Sequence, residues 1–207
     1  MNTTAIPGPP FNSSCTPVRF DHYQAKRPDA NDFAHGEGDT MFMNGAFNLN
    51  PTTYLSSPYS VLGGGFVYLF GEKKEHMFAM LVYDGDGSVD ESGFDTVFRD
   101  RTTVGANIRL RTNFFGKKGH QYFGAIYGFG DYDAQGFSPI NGQPPSGPGS
   151  PQEDGTWTLF YNFDQMLVAN RNDPEQGWGV FGRFGIADDK SSAIHTFTSL
   201  GLGGTGL

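Results

Sequence analysis

From residue 40 onward, apolar and polar positions alternate with a period of two in run after run, and no period of three to four residues is sustained. Alternation of this kind marks strands with one face in an apolar medium, because successive side chains leave an extended backbone on opposite sides. The pattern predicts about eight strands, over 41–50, 60–70, 77–83, 101–112, 120–130, 155–169, 178–187 and 194–204. The clearest run is 101–112. Its even positions are Thr102, Val104, Ala106, Ile108, Leu110 and Thr112, and its odd positions are Arg101, Thr103, Gly105, Asn107, Arg109 and Arg111. In 155–169, Trp157, Leu159, Tyr161 and Phe163 oppose Thr158, Phe160, Asn162 and Asp164. In 178–187, Trp178, Val180, Phe184 and Ile186 oppose Gly179, Phe181, Arg183 and Gly185, and in 41–50 Met41, Met43, Phe47 and Leu49 oppose Asn44 and Asn48. Runs 60–70 and 77–83 are apolar in both phases, so their faces stay unassigned. Residues 1–39 carry turn formers (Pro7-Gly8-Pro9-Pro10 and Pro28-Asp29-Ala30-Asn31-Asp32) and read as an irregular segment or loop ahead of the strand-bearing part, 40–207.

Two arrangements produce such strands. In a soluble sandwich the apolar face packs on a second sheet; in an outer-membrane barrel it meets lipid while the polar face lines water. The aromatics Tyr83, Tyr132, Trp157 and Trp178 lie near strand ends, where a barrel carries its interfacial girdles and a sandwich simply has core residues. Connection lengths favour the barrel. Segments 71–76, 113–119 and 170–177 are short, while 51–59, 84–100 and 131–154 are longer, as when tight periplasmic turns alternate with extended external loops. The connection 188–193 breaks this pattern, and 131–154 is irregular, with five prolines among its Gly and Ser residues.

Composition narrows the classes further. The chain has 207 residues, enough for one domain or one barrel. Its 30 Gly and 20 Phe, with only 17% charged residues, suit many short strands. Fourteen basic against 22 acidic residues give a net charge of −8, which excludes nucleic acid as a partner because phosphate neutralisation needs a basic surface. A single cysteine, Cys15, excludes a disulfide scaffold. No apolar run is long enough for a membrane helix, a test to which barrel strands are invisible. The N-terminus lacks the charged and apolar parts of a signal peptide, so the expectation is a removed signal or a missing start.

Four collinear blocks carry a family resemblance. They are Asp39-Thr40-Met41-Phe42-Met43-Asn44-Gly45-Ala46-Phe47-Asn48-Leu49-Asn50-Pro51, then Ser92-Gly93-Phe94-Asp95-Thr96-Val97-Phe98, then Trp157-Thr158-Leu159-Phe160-Tyr161-Asn162-Phe163-Asp164-Gln165, and finally Gly177-Trp178-Gly179-Val180-Phe181-Gly182-Arg183-Phe184-Gly185-Ile186-Ala187-Asp188 with Ser199-Leu200-Gly201-Leu202-Gly203-Gly204. Together they resemble the OprB-type carbohydrate-selective porins. That resemblance implies an all-β fold, an antiparallel up-and-down transmembrane barrel in the bacterial outer membrane. The permeating solutes would be monosaccharides and small oligosaccharides, and the surroundings outer-membrane lipid; a homo-oligomer is left open. Water-filled porins need roughly 16–18 strands, so about eight strands imply the later part of a larger barrel, cut at both ends. The alternatives are a general outer-membrane barrel without sugar preference and a soluble, secreted β-sandwich that binds glycans.

The polar phase supplies the candidate pore lining. Arg101, Arg109, Arg111 and Arg183 offer planar donor forks for successive sugar hydroxyls, and Asn107, Asn162 and Asp164 would complete a graded polar track. Phe160 and Phe181, in the same phase, would give flat apolar contact to sugar C–H faces. The bland reading is a set of solvated charges with no ligand role. No catalytic residue, cofactor or metal is expected. The run Asp84-Gly85-Asp86-Gly87-Ser88-Val89-Asp90, with Asp95 in twelfth place, is a poor calcium loop because Val89 stands where the turn needs Gly, and an external Asp/Gly loop accounts for it better. The five histidines show no paired metal spacing, no Gly-x-Ser-x-Gly elbow occurs, and the Gly clusters precede no helix.

Overall fold

A computed structural model describes residues 18–20, 33, 50–56, 61–85, 98–134, 151–174 and 176–205. Its strands are β1 (Val18–Phe20), β2 (Val61–Phe70), β3 (His76–Asp84), β4 (Thr102–Phe114), β5 (Lys117–Asp133), β6 (Gln152–Ala169), β7 (Gly177–Ala187) and β8 (Thr196–Thr205). They form one antiparallel sheet in sequence order, β1 to β8, which is the meander expected. Each of β2–β8 has nine residues or more, and about 9–11 suffice to cross a bilayer at a tilt. The strand expected over 41–50 lies outside the described residues except at its last position. There, Asn50 leads into a 3-10 helix, Pro51–Ser56. The segment expected to be irregular contributes β1, whose three residues pair with Val61–Gly63 of β2.

Register assigns every strand a face. Opposed residues of an antiparallel pair point the same way, so one known strand orients its neighbours in turn. Val104, Ala106, Ile108 and Leu110 of β4 pair with Tyr127, Ala125, Phe123 and Gln121 of β5, which pair with Trp157, Leu159, Tyr161 and Phe163 of β6. This outward face is apolar and open, with Phe123, Tyr127, Leu159, Ile186, Leu200 and Leu202 all exposed. A soluble sandwich would bury such a row against a second sheet, and no second sheet exists among the described residues. Neighbouring outward rings stack on one another. Phe123 and Tyr161 have centroids 4.8 Å apart, and Tyr161 and Phe184 5.9 Å, each pair contributing about 0.5–1.5 kcal/mol beyond its area.

The opposite face curls inward. The 3-10 helix touches β5, β6, β7 and β8 together, so these strands wrap around it. Register also gives faces to the two strands that are apolar throughout. In β3, Met77, Ala79, Leu81 and Tyr83 pair with Arg109, Asn107, Gly105 and Thr103 and therefore point inward, while Phe78, Met80 and Val82 point outward. In β2, Gly63, Gly65, Val67 and Leu69 point inward and Phe66, Tyr68 and Phe70 outward.

Two of the expected girdle aromatics change sides. Tyr83 shares its face with Thr103, and Tyr132 packs against Gly128, so both are buried inward. Outward at that end stand Trp157 and the edge-to-face pair of Tyr127 and Phe129, 4.6 Å apart. At the short-turn end Trp178 is exposed as expected, together with Phe114. The sharpest connection, Phe115–Gly116, has φ of +56° and +69°, the two left-handed residues of a primed hairpin turn. Gln165 closes this end from β6, its Nε2 donating to the Met166 carbonyl at 2.9 Å and lying 3.3–3.4 Å from the carbonyls of Phe114, Lys117 and Lys118, which share its second hydrogen.

Candidate functional site

Inward side chains fall into rows that cross the sheet at right angles to the strands. One row is Arg111, His120, Asp164, Phe181 and Gly201; the next is Arg109, Tyr122, Asn162, Arg183 and Ser199; a third is Asn107, Gly124, Phe160, Gly185 and Phe197. With strands about 4.8 Å apart and rows about 7 Å apart, the patch measures roughly 14 Å by 19 Å. Eight of the nine candidate lining residues therefore come together: Asn107, Arg109, Arg111, Phe160, Asn162, Asp164, Phe181 and Arg183. Arg101 does not join them. It precedes β4, eight residues or about 27 Å from Arg109, where its Nε donates to the Asp131 carbonyl at 2.8 Å and its guanidinium lies 4.7 Å from the Tyr132 ring.

Burial divides the patch. On β4, Arg111 is exposed and Asn107 and Arg109 are half-buried, whereas on β6 and β7 Asn162, Asp164, Phe181 and Arg183 are 0–4% exposed. Earlier chain lies on that part of the face. Phe33 packs with Met166 and Phe181. Asn50 donates from Nδ2 to the Phe184 carbonyl at 3.0 Å, Thr52 Oγ1 donates to Asn50 Oδ1 at 2.8 Å, and Thr158 Oγ1 donates to the Thr52 carbonyl at 3.2 Å. This contact requires Gly185. Any Cβ at that position would collide with the side chains of Asn50 and Thr52.

Several inward polar groups keep unused capacity. Asn162 is 2% exposed, yet neither its amide oxygen nor its nitrogen hydrogen-bonds to a described residue, and the same holds for Asn107 Oδ1 and Ser199 Oγ. Leaving such a group unmatched costs about 1–3 kcal/mol. Around Asn162 stand a cation and flat rings: the Arg183 guanidinium is 5.7 Å from the Phe181 ring, and Tyr122 stacks on Phe160 at 5.7 Å with 27° between planes. One row along, His120 Nδ1 lies 3.0 Å from Asp164 Oδ1.

The residues that sequence reasoning missed are Tyr122, His120, Ser199, Thr158, Asn50 and Thr52. Tyr122 and His120 were within reach, since they share a phase with Gly124 and Ile126 against Gln121, Phe123, Ala125 and Tyr127. Asn50 and Thr52 had no such signal, because their place depends on a contact across more than a hundred residues. The expected calcium-like run lies mostly outside the described residues, with Asp84 closing β3. Among the described residues no cluster of three metal-ligating side chains occurs.

A single antiparallel layer with an apolar outer face and a row-ordered polar inner face is the wall of an outer-membrane β-barrel of the porin class. The model of the carbohydrate-selective porin OprB family matches residues 19–207, and the chain belongs to that family. Among solved structures, it is similar to Pseudomonas putida OprB determined at high pH, with a TM-score of 0.57 and 16% identity over 72% of this chain and 36% of that one. The chain thus spans about a third of the length of that porin. No curated protein matches it.

Proposed function

We propose that the protein carrying this chain is a passive outer-membrane pore for monosaccharides and small oligosaccharides, and that the open part of the three inward rows lines its solute path. The observation that carries the reading is the open part of the inward face, where exposed Arg111 and half-buried Asn107, Arg109 and Phe160 set polar groups beside a flat ring. A sugar presents hydroxyls that donate and accept together with apolar C–H faces. Such a solute meets the amide of Asn107 with either polarity and the forks of Arg109 and Arg111 as donors only, while Asn162, Asp164 and Arg183 lie behind them under the covering segment. Phe160 supplies flat surface beside them, and Arg101 stands at the loop end of the path. Each contact replaces water that the solute gives up, so entry carries little net cost and release stays fast. The path moves solute and changes no bond.

Closure of the barrel comes from strands beyond those described. Residues 64–70 of β2 and all of β8 have no further partner strand among the described residues, and free edges are untenable in lipid. The test is conductance of the full-length protein in planar bilayers. Maltose or glucose should reduce the ion current in a saturable way. A pore indifferent to sugar would overturn the carbohydrate part of the proposal and leave a general diffusion channel.

A further inference from the structure

The two ends of the wall differ in charge. Around the long connections Asp84, Asp100, Asp131, Asp133, Asp154 and Asp188 outnumber Arg99, Arg101 and Lys190. Around the short turns Lys73, Lys74, Lys117, Lys118 and Arg171 stand with Glu72, Glu75 and Asp173. The β4–β5 turn concentrates the contrast: Phe114-Phe115-Gly116-Lys117-Lys118 contains two rings, two cations and no acid. Phe115 is 87% exposed, and it holds a φ of +56° that a bulky side chain adopts only at a cost. In water both features are unfavourable, whereas Asn at this position would suit the turn and the solvent alike. Phe114, half exposed, ends the outward face of β4 and sets its ring next to that of Phe115 in sequence. Lys117 is the register partner of Phe114 and shares its outward phase.

We propose that this turn anchors the barrel to anionic phospholipid of the periplasmic leaflet. The rings of Phe114 and Phe115 enter the boundary between headgroups and acyl chains, and Lys117 takes the lipid phosphate, with Lys118 adding charge beside it. A ring and a flanking cation are each favoured at that boundary, the ring because it leaves water and the ammonium because it stays among phosphates. The anchor rests on reading the chain as a membrane barrel with its short turns toward the periplasm.

The test uses the full-length barrel in vesicles of phosphatidylcholine and phosphatidylglycerol, with heat-modifiable gel migration as the check of folding. Native mass spectrometry of the extracted barrel reads which lipid it keeps. The wild type should retain phosphatidylglycerol preferentially, and the Lys117→Gln/Lys118→Gln variant should lose that preference by about fivefold per lysine. In a Phe115→Trp variant, the added emission should be blue-shifted and quenched by brominated acyl chains. A folded barrel whose double variant keeps the preference, or whose added emission is that of indole in water, overturns the anchor alone. Absence of heat-modifiable migration in the wild type overturns the barrel reading and the anchor with it.

Discussion

The inward face of β4 and the inward face of β6–β8 follow the same alternation, yet one is open and the other is covered. On β4 the inward positions Asn107, Arg109 and Arg111 carry long or polar side chains that project from the wall and stay partly solvated. On β7 and β8 the inward positions include Gly179, Gly185, Gly201 and Gly203, and the space left above the backbone admits another side chain or piece of chain. Asn50 and Thr52 fill it at Gly185, and the Phe181 ring fills it at Gly201. Side-chain volume, more than polarity, thus decides which part of a pore wall faces water and which part seats an inward segment.

Filling the seat is the most severe way to break this contrast. Gly185→Val should expel Asn50 and Thr52, destabilise the barrel by about 2–4 kcal/mol through overpacking and lost hydrogen bonds, and raise single-channel conductance. Unchanged melting of the heat-modifiable form would show that the seat does not hold the segment.

A finer comparison sets one residue from each part side by side. Arg109→Ala, on the open part, should raise the maltose concentration for half-block roughly tenfold, the worth of one charged hydrogen bond. Asn162→Leu, under the cover, should leave the sugar block unchanged while stabilising the empty barrel by about 1 kcal/mol, because it removes an unmatched buried amide. Current-block titrations and denaturant midpoints read the two effects separately. A loss of stability in Asn162→Leu would mean that the amide is satisfied within the protein.

His120 and Asp164 bridge the two parts, one on β5 and the other on β6. A double-mutant cycle with His120→Gln and Asp164→Asn should return a coupling of about 1 kcal/mol in the denaturant midpoint, and a coupling near zero would remove that bridge from the account.

The smallest effect belongs to the β2–β3 turn on the open side. Glu75 accepts from its own backbone N–H, and from that of Lys73 at 2.7 Å, with His76 and Lys73 nearby; together these hold its carboxyl below the ordinary glutamate range despite slight desolvation. A lowered carboxyl favours the folded turn above the ordinary pKa of about 4.3, and the benefit is lost as pH falls through the depressed value. Amide exchange in residues 71–75 should therefore quicken relative to β3 in acid, and Glu75→Gln should abolish that dependence.

Much of the wall was legible in the sequence because a strand's period of two is local. The phases of 101–112, 155–169 and 178–187 predict the inward and outward sets observed, and eight of nine candidate lining residues share the inward face for that reason. The lateral order of those rows was not legible. It comes from register, which places Arg109 beside Tyr122 and Asn162 beside Arg183, and pairing offsets leave no local trace. Strands β2 and β3 show the same limit, since apolar residues in both phases carry no side until β4 orients them. Tyr83 and Tyr132 were misplaced because nearness to a strand end says nothing about direction.

The sequence by itself determined an antiparallel, membrane-type sheet and its polar phase, since alternation, turn chemistry and family blocks are properties of neighbouring residues. Only the tertiary structure decided that part of this phase is covered. The cover depends on Asn50, Thr52 and Phe33 meeting glycine-lined space on strands more than a hundred residues away, and contact at that distance along the chain is set by packing in three dimensions.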